Sequence, residues 1–229
     1  MPPSRLDVII PVLDEAEHLP VLLASLAPLR SNGAGVVLVD GGSRDATLAI
    51  AQAQDCQCLS APRGRASQMN AGGEASHGDH LLFLHADTRL PAHAVDLVAK
   101  ALDSKRCWGR FDVRLTGRHP LLSMIAATMN LRSRLTGIAT GDQAMFMTRE
   151  AFKAVGGFPV QPLMEDIEMS RRLKRLSPPA CLRAKVTSSG RRWERNGAWR
   201  TILLMWRLRY RYWRGVSADI LAREYRHVR

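Results

Sequence analysis

The 229-residue sequence has no run of the ~18 consecutive apolar residues that spanning a bilayer requires. Its first residues, MPPSRLDVIIP, lack an apolar segment of signal-peptide length. Both absences lead us to expect a chain made and kept in the cytosol, where it could still lie against a membrane. Cysteine is scarce: Cys56, Cys58, Cys107 and Cys181 are the only four. The first two form C-x-C with no second pair at zinc-site spacing, which argues against a zinc cluster and for ordinary thiols in a reducing compartment. Acidic residues are few, 21 against 33 Lys and Arg, for a net charge of +12. Such a surface attracts anions, whether nucleic acid, anionic lipid or phosphorylated substrates. The excess sits largely in residues 191–229, where Glu194, Asp219 and Glu224 are the only acids. There is no internal repeat and no low-complexity linker.

What is present reads as one packed unit. Hydrophobic residues make up 46% and charged residues 24% of the chain, a charge content close to the globular norm of about 25%. In the first half, strand and helix patterns alternate. Leu6–Val12, residues 36–39, Gln57–Ser60 and residues 80–85 are short apolar or strand-like runs. Between and after them, residues 17–29 carry Leu19, Leu22, Leu23, Leu26 and Leu29 at helical spacing, and residues 45–54, 66–75 and 91–102 also read as helices. Strands apolar on both faces and separated by helices predict a parallel sheet covered by helices. Right-handed crossovers then put the strand C-terminal ends on one edge, where open α/β sheets bind ligands.

After about Lys105 the pattern changes. Residues 108–115 alternate as an antiparallel edge strand would. Residues 121–131 form a Met-rich helix whose Met124 and Met129 are read as core. Residues 141–148 read as a short strand, 164–176 as a helix, 182–186 as a short strand and 199–214 as a basic aromatic helix. The expected fold class is α/β, Rossmann-like, a mostly parallel sheet flanked by helices.

Three acidic positions follow predicted strands: Asp14-Glu15, Asp40 before Gly41-Gly42, and Asp87 in His85-Ala86-Asp87. Carboxylates at successive strand ends converge on one crevice, where they accept hydrogen bonds from a base or a ribose, or hold a cation. Taken singly, Asp40 with Ser43 is as well explained as a helix cap and Asp87 as a turn residue. Mg²⁺ is commonly held by one or two carboxylates plus substrate phosphates, which suits Asp87, and Mn²⁺ would tolerate His85. Arg63-Gly64-Arg65, with Gln68 and Asn70, precedes a helix start and suits an anionic ligand, or forms a solvated basic loop. Glu165-Asp166 opens a helix. It either complements the helix dipole or supplies a general base.

In this order and spacing, VIIPVLDE (residues 8–15), VLVDGGSRDAT (37–47), GRASQMNAG (64–72), LFLHADT (82–88), GDQAMFM (141–147), GGFP (156–159) and MEDIEMSRRL (164–173) resemble glycosyltransferase family 2, with its GT-A fold. The chain looks closest to a short, soluble subgroup associated with radical-SAM and selenoprotein-type genes. The resemblance implies an inverting transfer from a nucleotide-diphosphate sugar, usually UDP-linked, to a hydroxyl acceptor. Residues 1–105 would bind the donor, 106–190 would face the acceptor and 191–229 would form a basic helical tail. Pro11, Leu13 and Glu15 would line the nucleoside pocket, with Asp40 on the base and Gly41, Arg65, Asn70, Ala86 and Glu165 beside the donor. Asp87 would match the last Asp of the metal-binding triplet, whose first position here is His85, with Mn²⁺ or Mg²⁺ as cofactor. Asp166 would be the catalytic base. Gly190-Arg191-Arg192-Trp193 resembles the signature in which Arg meets the diphosphate and Trp sits near the acceptor, although the Gln of that signature is missing.

The tail helix admits three roles. In the first, Ile202, Leu203, Met205, Trp206 and Tyr210 pack onto the domain while Arg stems snorkel. In the second, it contacts an anionic membrane, as a lipid-linked acceptor would explain. The third, nucleic-acid binding, is not expected. A nucleotidyltransferase or sugar-nucleotide-binding protein on the same frame is the other functional class. It usually shows a Gly-rich loop after the first strand, where this chain has Leu13-Asp14-Glu15.

Overall fold

The computed structural model describes residues 5–54, 56–102 and 105–227. The outermost residues of the two ends lie outside it. In the first half, β1 (Leu6–Val12), α1 (Leu19–Ser31), β2 (Gly35–Asp40), α2 (Thr47–Gln52), β3 (Gln57–Ser60), α3 (Arg65–Ala75) and β4 (His80–Phe83) follow one another. The second half holds β5 (Thr88–Arg89), α4 (Ala94–Leu102), β6 (Trp108–Thr116), α5 (Leu122–Thr136), a 3₁₀ turn at Gly141–Gln143, β7 (Phe146–Thr148), α6 (Arg149–Ala154), α7 (Glu165–Leu173), β8 (Ala180–Ser189), α8 (Arg191–Asn196), α9 (Ala198–Trp213) and α10 (Ala218–His227).

One eight-stranded sheet runs in the order β3-β2-β1-β4-β7-β6-β8-β5. The first four are mutually parallel. β7 is antiparallel to both β4 and β6, β8 is parallel to β6, and β5 is antiparallel to β8. Alternation along β1 sorts the core into two layers. Val8, Ile10 and Val12 pack with Leu19, Leu22 and Leu26 of α1 on one face. Ile9 packs with Met69 of α3, Phe152 of α6 and Met169 of α7 on the other. Each such buried aliphatic side chain contributes roughly 1.5–3 kcal/mol. α3 lies close against the sheet because Gly72 has no side chain: a Cβ there would lie 2.4 Å from Ile9 Cγ2.

The parallel half matches the sequence reading closely, and the second half departs from it. β6 is not an edge strand, since β7 and β8 flank it. Two of its three alternating charges do not face water: Arg110 is fully buried and ion-paired to Asp112, which also meets Arg134 at 2.7 Å, whereas Arg114 is exposed. α5 covers that face, and Asn130 accepts from the amide of Val113 and donates to its carbonyl. Residues 141–148 split into the 3₁₀ turn and the three-residue β7. Met124 is 43% exposed rather than core, while Met129 packs partly buried against the core. β5, α6 and α8 carry no periodic apolar signal long enough to predict, whereas α10 was missed although Ala218, Leu221, Ala222 and Tyr225 recur at helical spacing and turn inward.

Asp7 anchors the start of β1. Its carboxylate is buried and accepts from the amides of His77 and Gly78, at 2.8 and 2.7 Å, and from Arg5 Nε at 3.1 Å. Asp7→Ala strands two amides at a turn next to the sheet, a loss of about 2–4 kcal/mol in unfolding free energy. Urea denaturation measures it, and a midpoint equal to the parent's would show that this clasp carries no stability.

Candidate active site

The C-terminal ends of β1, β2 and β4 lie side by side, and their loops build one rim. The first two loops are interlocked. Asp14, at φ 54°, accepts from the Arg44 amide at 2.8 Å and donates its own amide to Ser43 Oγ at 2.9 Å. The Glu15 amide donates to Thr47 Oγ1 at 2.8 Å and the Ala16 amide to Asp45 Oδ2 at 3.1 Å. Buried Gln68 of α3 ties the same two strand ends by donating to the carbonyls of Val12 and Val39, at 2.8 and 2.7 Å.

Asp40 is buried, and its carboxylate accepts from the amides of Gly42 and Ser43 and from Ser43 Oγ. It therefore holds its own turn in this structure. Gly41 leaves room for Gln68, whose side chain would lie 3.0 Å from a Cβ at that position. Asn70 is fully engaged with Phe158, donating to its carbonyl at 2.8 Å and accepting from its amide at 2.7 Å. Pro11 pairs with Val39 in the sheet and, like Leu13, keeps partial solvent contact. Ala86 is buried, and Trp193 of α8 packs partly buried against the core.

The remaining residues meet. His85 Nδ1 lies 3.2 Å from Asp142 Oδ1, and its ring fills the space over Gly141, where a Cβ would come within 2.3 Å of Nε2. The Gly141 amide donates to Asp166 Oδ2 at 3.0 Å, and the Ile167 amide donates to Asp166 Oδ1 at 2.7 Å. Met164, at φ 66°, turns the chain so that α7 begins with Glu165 and Asp166 at this rim. Asp87 Oδ2 is 3.8 Å from Arg191 Nη2, and Arg191 also contacts the His18 ring. Arg192 lies over the ring of Tyr225, 5.9 Å from its centroid.

The charges are coupled across the rim. Burial, then the neighbouring Asp87, pushes the Glu15 carboxyl up, against the pull of His18, Arg191 and Arg65. Burial, then Asp166, pushes Glu165 up. Burial would raise Asp142 too, but the hydrogen bond and charge of His85, with Arg192 and Arg65, hold it far below the usual carboxylate range. Burial works against the charge of Arg65, yet Glu165, Asp142 and Asp166 outweigh it and raise its pKa. Arg65 is thus coupled to Glu15 as well as to Asp142, Glu165 and Asp166.

On the far side, the Arg132 guanidinium of α5 is pulled down to about 10 by burial and by Arg209, with Asp166 opposing, and its Nη2 is buried with no hydrogen-bond partner among the described residues. Arg209 of α9 is lowered by burial and supported by Asp166. Asp142, Arg132 and Arg209 were not singled out in the sequence. Asp142 stands inside the quoted GDQAMFM stretch, but only folding brings it to His85.

Among the described residues, no group of three or more His, Cys, Asp or Glu is arranged to enclose a metal ion. Asp87 offers a carboxylate 31% exposed to solvent, and the Glu15 carboxylate shares its field. That donor set fits a cation that arrives with a diphosphate and is completed by its oxygens. It does not form a closed protein cage.

Solved structures share the fold. TarS residues 1–349 from S. aureus superposes with a TM-score of 0.66 at 18% identity, covering 81% of this chain and 60% of that one. The chain therefore spans about 60% of the length of that relative. The mannosyltransferase PcManGT from Pyrobaculum calidifontis, in complex with GDP-Man and Mn²⁺, gives 0.59 at 19% identity, covering 81% and 56%. Glucosyl-3-phosphoglycerate synthase from Mycobacterium tuberculosis, in complex with Mn²⁺, UDP and glucosyl-3-phosphoglycerate, gives 0.61 at 18%, covering 81% and 71%. At these identities the likeness carries the GT-A fold alone. No curated protein matches the sequence. The family model described as Glycosyl transferase family 2 matches residues 7–156, well over half of the 229, and the chain belongs to that family.

Proposed function

We propose that the protein is an inverting glycosyltransferase of the cytosol that moves a sugar from a nucleotide-diphosphate sugar, UDP-linked, to a hydroxyl acceptor. One observation carries this reading. Asp87, which follows β4, acts on Glu15, and Arg65 is coupled both to Glu15 and to Glu165, Asp142 and Asp166 at the start of α7, which supports placing these acids at one rim. That spacing of parts suits a donor whose diphosphate and anomeric carbon lie between them. Similar structures holding UDP, UDP-GlcNAc and GDP-Man support a nucleotide sugar as donor.

In this reading residues 1–105 hold the donor, residues 106–190 face the acceptor and residues 191–229 form the basic tail. Glu15, Pro11, Leu13 and Asp40 line the nucleoside side. Arg65, Arg191 and Arg192 supply positive charge toward the diphosphate, a role for which guanidinium geometry is favoured. Asp87 would hold a divalent cation, Mn²⁺ or Mg²⁺. When bound, the cation supplies Lewis-acid stabilisation of the leaving diphosphate; Mn²⁺ in two similar structures supports it.

Asp166 is the general base. The Gly141 and Ile167 amides fix its carboxylate, and it takes the proton of the acceptor hydroxyl as that oxygen bonds to the anomeric carbon. The bond from that carbon to the diphosphate breaks in the same displacement, and the electron pair leaves with the nucleotide. Such a positioned base contributes ~10²–10⁴-fold.

Two variants separate these roles. Asp87→Ala loses Mn²⁺- or Mg²⁺-dependent donor binding by at least about tenfold, or roughly 1.4 kcal/mol, in calorimetric titrations across UDP-, GDP- and dTDP-sugars. Metal-dependent binding at the parental affinity would remove Asp87 from the site. Asp166→Asn keeps that binding and lowers slow sugar-nucleotide hydrolysis, and transfer once an acceptor is found, by ~10²-fold or more. Turnover at the parental rate would be incompatible with Asp166 as the base.

A further inference from the structure

α9 carries apolar side chains on two opposite faces. Inward, Leu208 is fully buried and packs with Met164, Ile167 and Leu221, while Leu204, Met205 and Tyr212 pack partly buried beside it. The packing role read from the sequence puts Leu203, Trp206 and Tyr210 on this inner face. The structure places them on the outer one. Trp199, Leu203, Trp206, Tyr210 and Trp213 are 62%, 64%, 70%, 59% and 66% exposed. They recur at alternating steps of four and three residues, which at 3.6 residues per turn confines them to an arc of roughly 80°. Three of the chain's five tryptophans stand in this one stripe. Arg200, Arg207 and Arg214, all exposed, run beside it at seven-residue intervals. An exposed apolar stripe of this length marks an interaction surface.

The charges select its occupant. If a second copy paired through the stripe as a coiled coil, Arg200, Arg207 and Arg214 would take one flanking position in every heptad of both chains. The other flank holds Ile202 and Arg209 and offers no acid to pair with them; Arg207 already meets Glu224 of its own α10 at 3.3 Å, which leaves Arg200 and Arg214 facing like charge. Nucleic acid would need separate ring faces for stacking, whereas the Tyr210 and Trp213 rings lean on each other, 6.0 Å apart at 36°. No helix of the described residues is long and apolar enough to cross a membrane. An anionic bilayer surface satisfies both halves of the pattern. Trp and Tyr partition to the boundary between headgroups and acyl chains, and arginines reach lipid phosphates.

We propose that α9 lies flat on an anionic phospholipid surface, with the Trp199–Trp213 stripe at the headgroup boundary and Arg200, Arg207 and Arg214 among the phosphates. Its opposite face backs Met164 and Ile167, which bracket Glu165 and Asp166. The catalytic rim then stands about one helix diameter, ~10 Å, from the lipid, within reach of a hydroxyl carried on a membrane-borne acceptor.

The surface contact does not depend on sugar transfer and is tested without a donor. The full chain is floated with phosphatidylcholine vesicles and with vesicles containing about a third phosphatidylserine, at low and high salt. We expect recruitment to the anionic vesicles only, reversed by salt, with a blue shift of tryptophan emission. The paired variant W206S and W213S, and separately R200E and R214E, should each lower the bound fraction at least tenfold while circular dichroism and the thermal unfolding midpoint stay at parental values. The inference is overturned by absent recruitment of the parent, or by equal recruitment of parent and folded variants. It is also overturned if sedimentation shows a dimer that W206S dissolves, or if a single-stranded oligonucleotide is bound through the same tryptophans in preference to lipid.

Discussion

The amide of Gly141 donates to Asp166 while the imidazole of His85 rests where a side chain on that same residue would stand. Three segments distant in sequence, the loop after β4, the 3₁₀ turn and the start of α7, are therefore held against one backbone unit, where any side chain would have to displace the His85 ring. The buried Gln143 and its capping interaction with Thr140 keep the turn itself in shape. β4 is also where the sheet changes from parallel to antiparallel pairing. The sheet's change of direction and the gathering of carboxylates are thus one event. The strand that leads into His85-Ala86-Asp87 is the strand against which β7, and with it the 141–143 turn, must dock.

The rim concentrates negative charge in a chain that is strongly positive overall, and its members are not equivalent. Glu15 and Glu165 are pushed up by burial, while Asp142 is pulled down by His85, Arg192 and Arg65. Neighbouring carboxyls with opposed shifts are the usual mark of a reacting site, since each is set for a different duty at one pH. The compensating arginines come from separate elements, Arg65 from α3, Arg191 and Arg192 from α8, Arg132 from α5 and Arg209 from α9. Arg191, Arg192 and Arg209 of the basic tail are thereby coupled to the acidic rim, while Arg200, Arg207 and Arg214 face solvent.

The parallel half of the fold was legible because apolar runs such as Leu6–Val12 and leucines at helical spacing in α1 report burial directly. β6 was misplaced because alternation with Arg and Asp is the signature of a strand half in water, and nothing local reveals that α5 and Asn130 will cover those charges. Asp87 and Asp166 were legible as motifs. The contacts of Asp142 with His85 and of Asp166 with Gly141 join residues 57 and 25 positions apart, which no local pattern reports. In α9 the difficulty was different: apolar side chains occupy two faces, and spacing alone does not say which turns inward. The structure turns Leu208 inward against Met164 and Ile167 and leaves the indoles of Trp199, Trp206 and Trp213 on the outer face.

The strand order also bears on how the molecule is made. Translation delivers the amino-terminal strands first, so β3, β2, β1 and β4 can pair before the rest of the chain leaves the ribosome. β4, whose four residues are all buried in the finished protein, then presents one bare flank until Phe146–Thr148 emerges to cover it. A naked apolar strand edge is a template for intermolecular pairing. The arrangement that brings distant acids to a common rim therefore leaves the nascent chain adhesive over the stretch of synthesis between them, a window in which chaperone protection matters more than final stability.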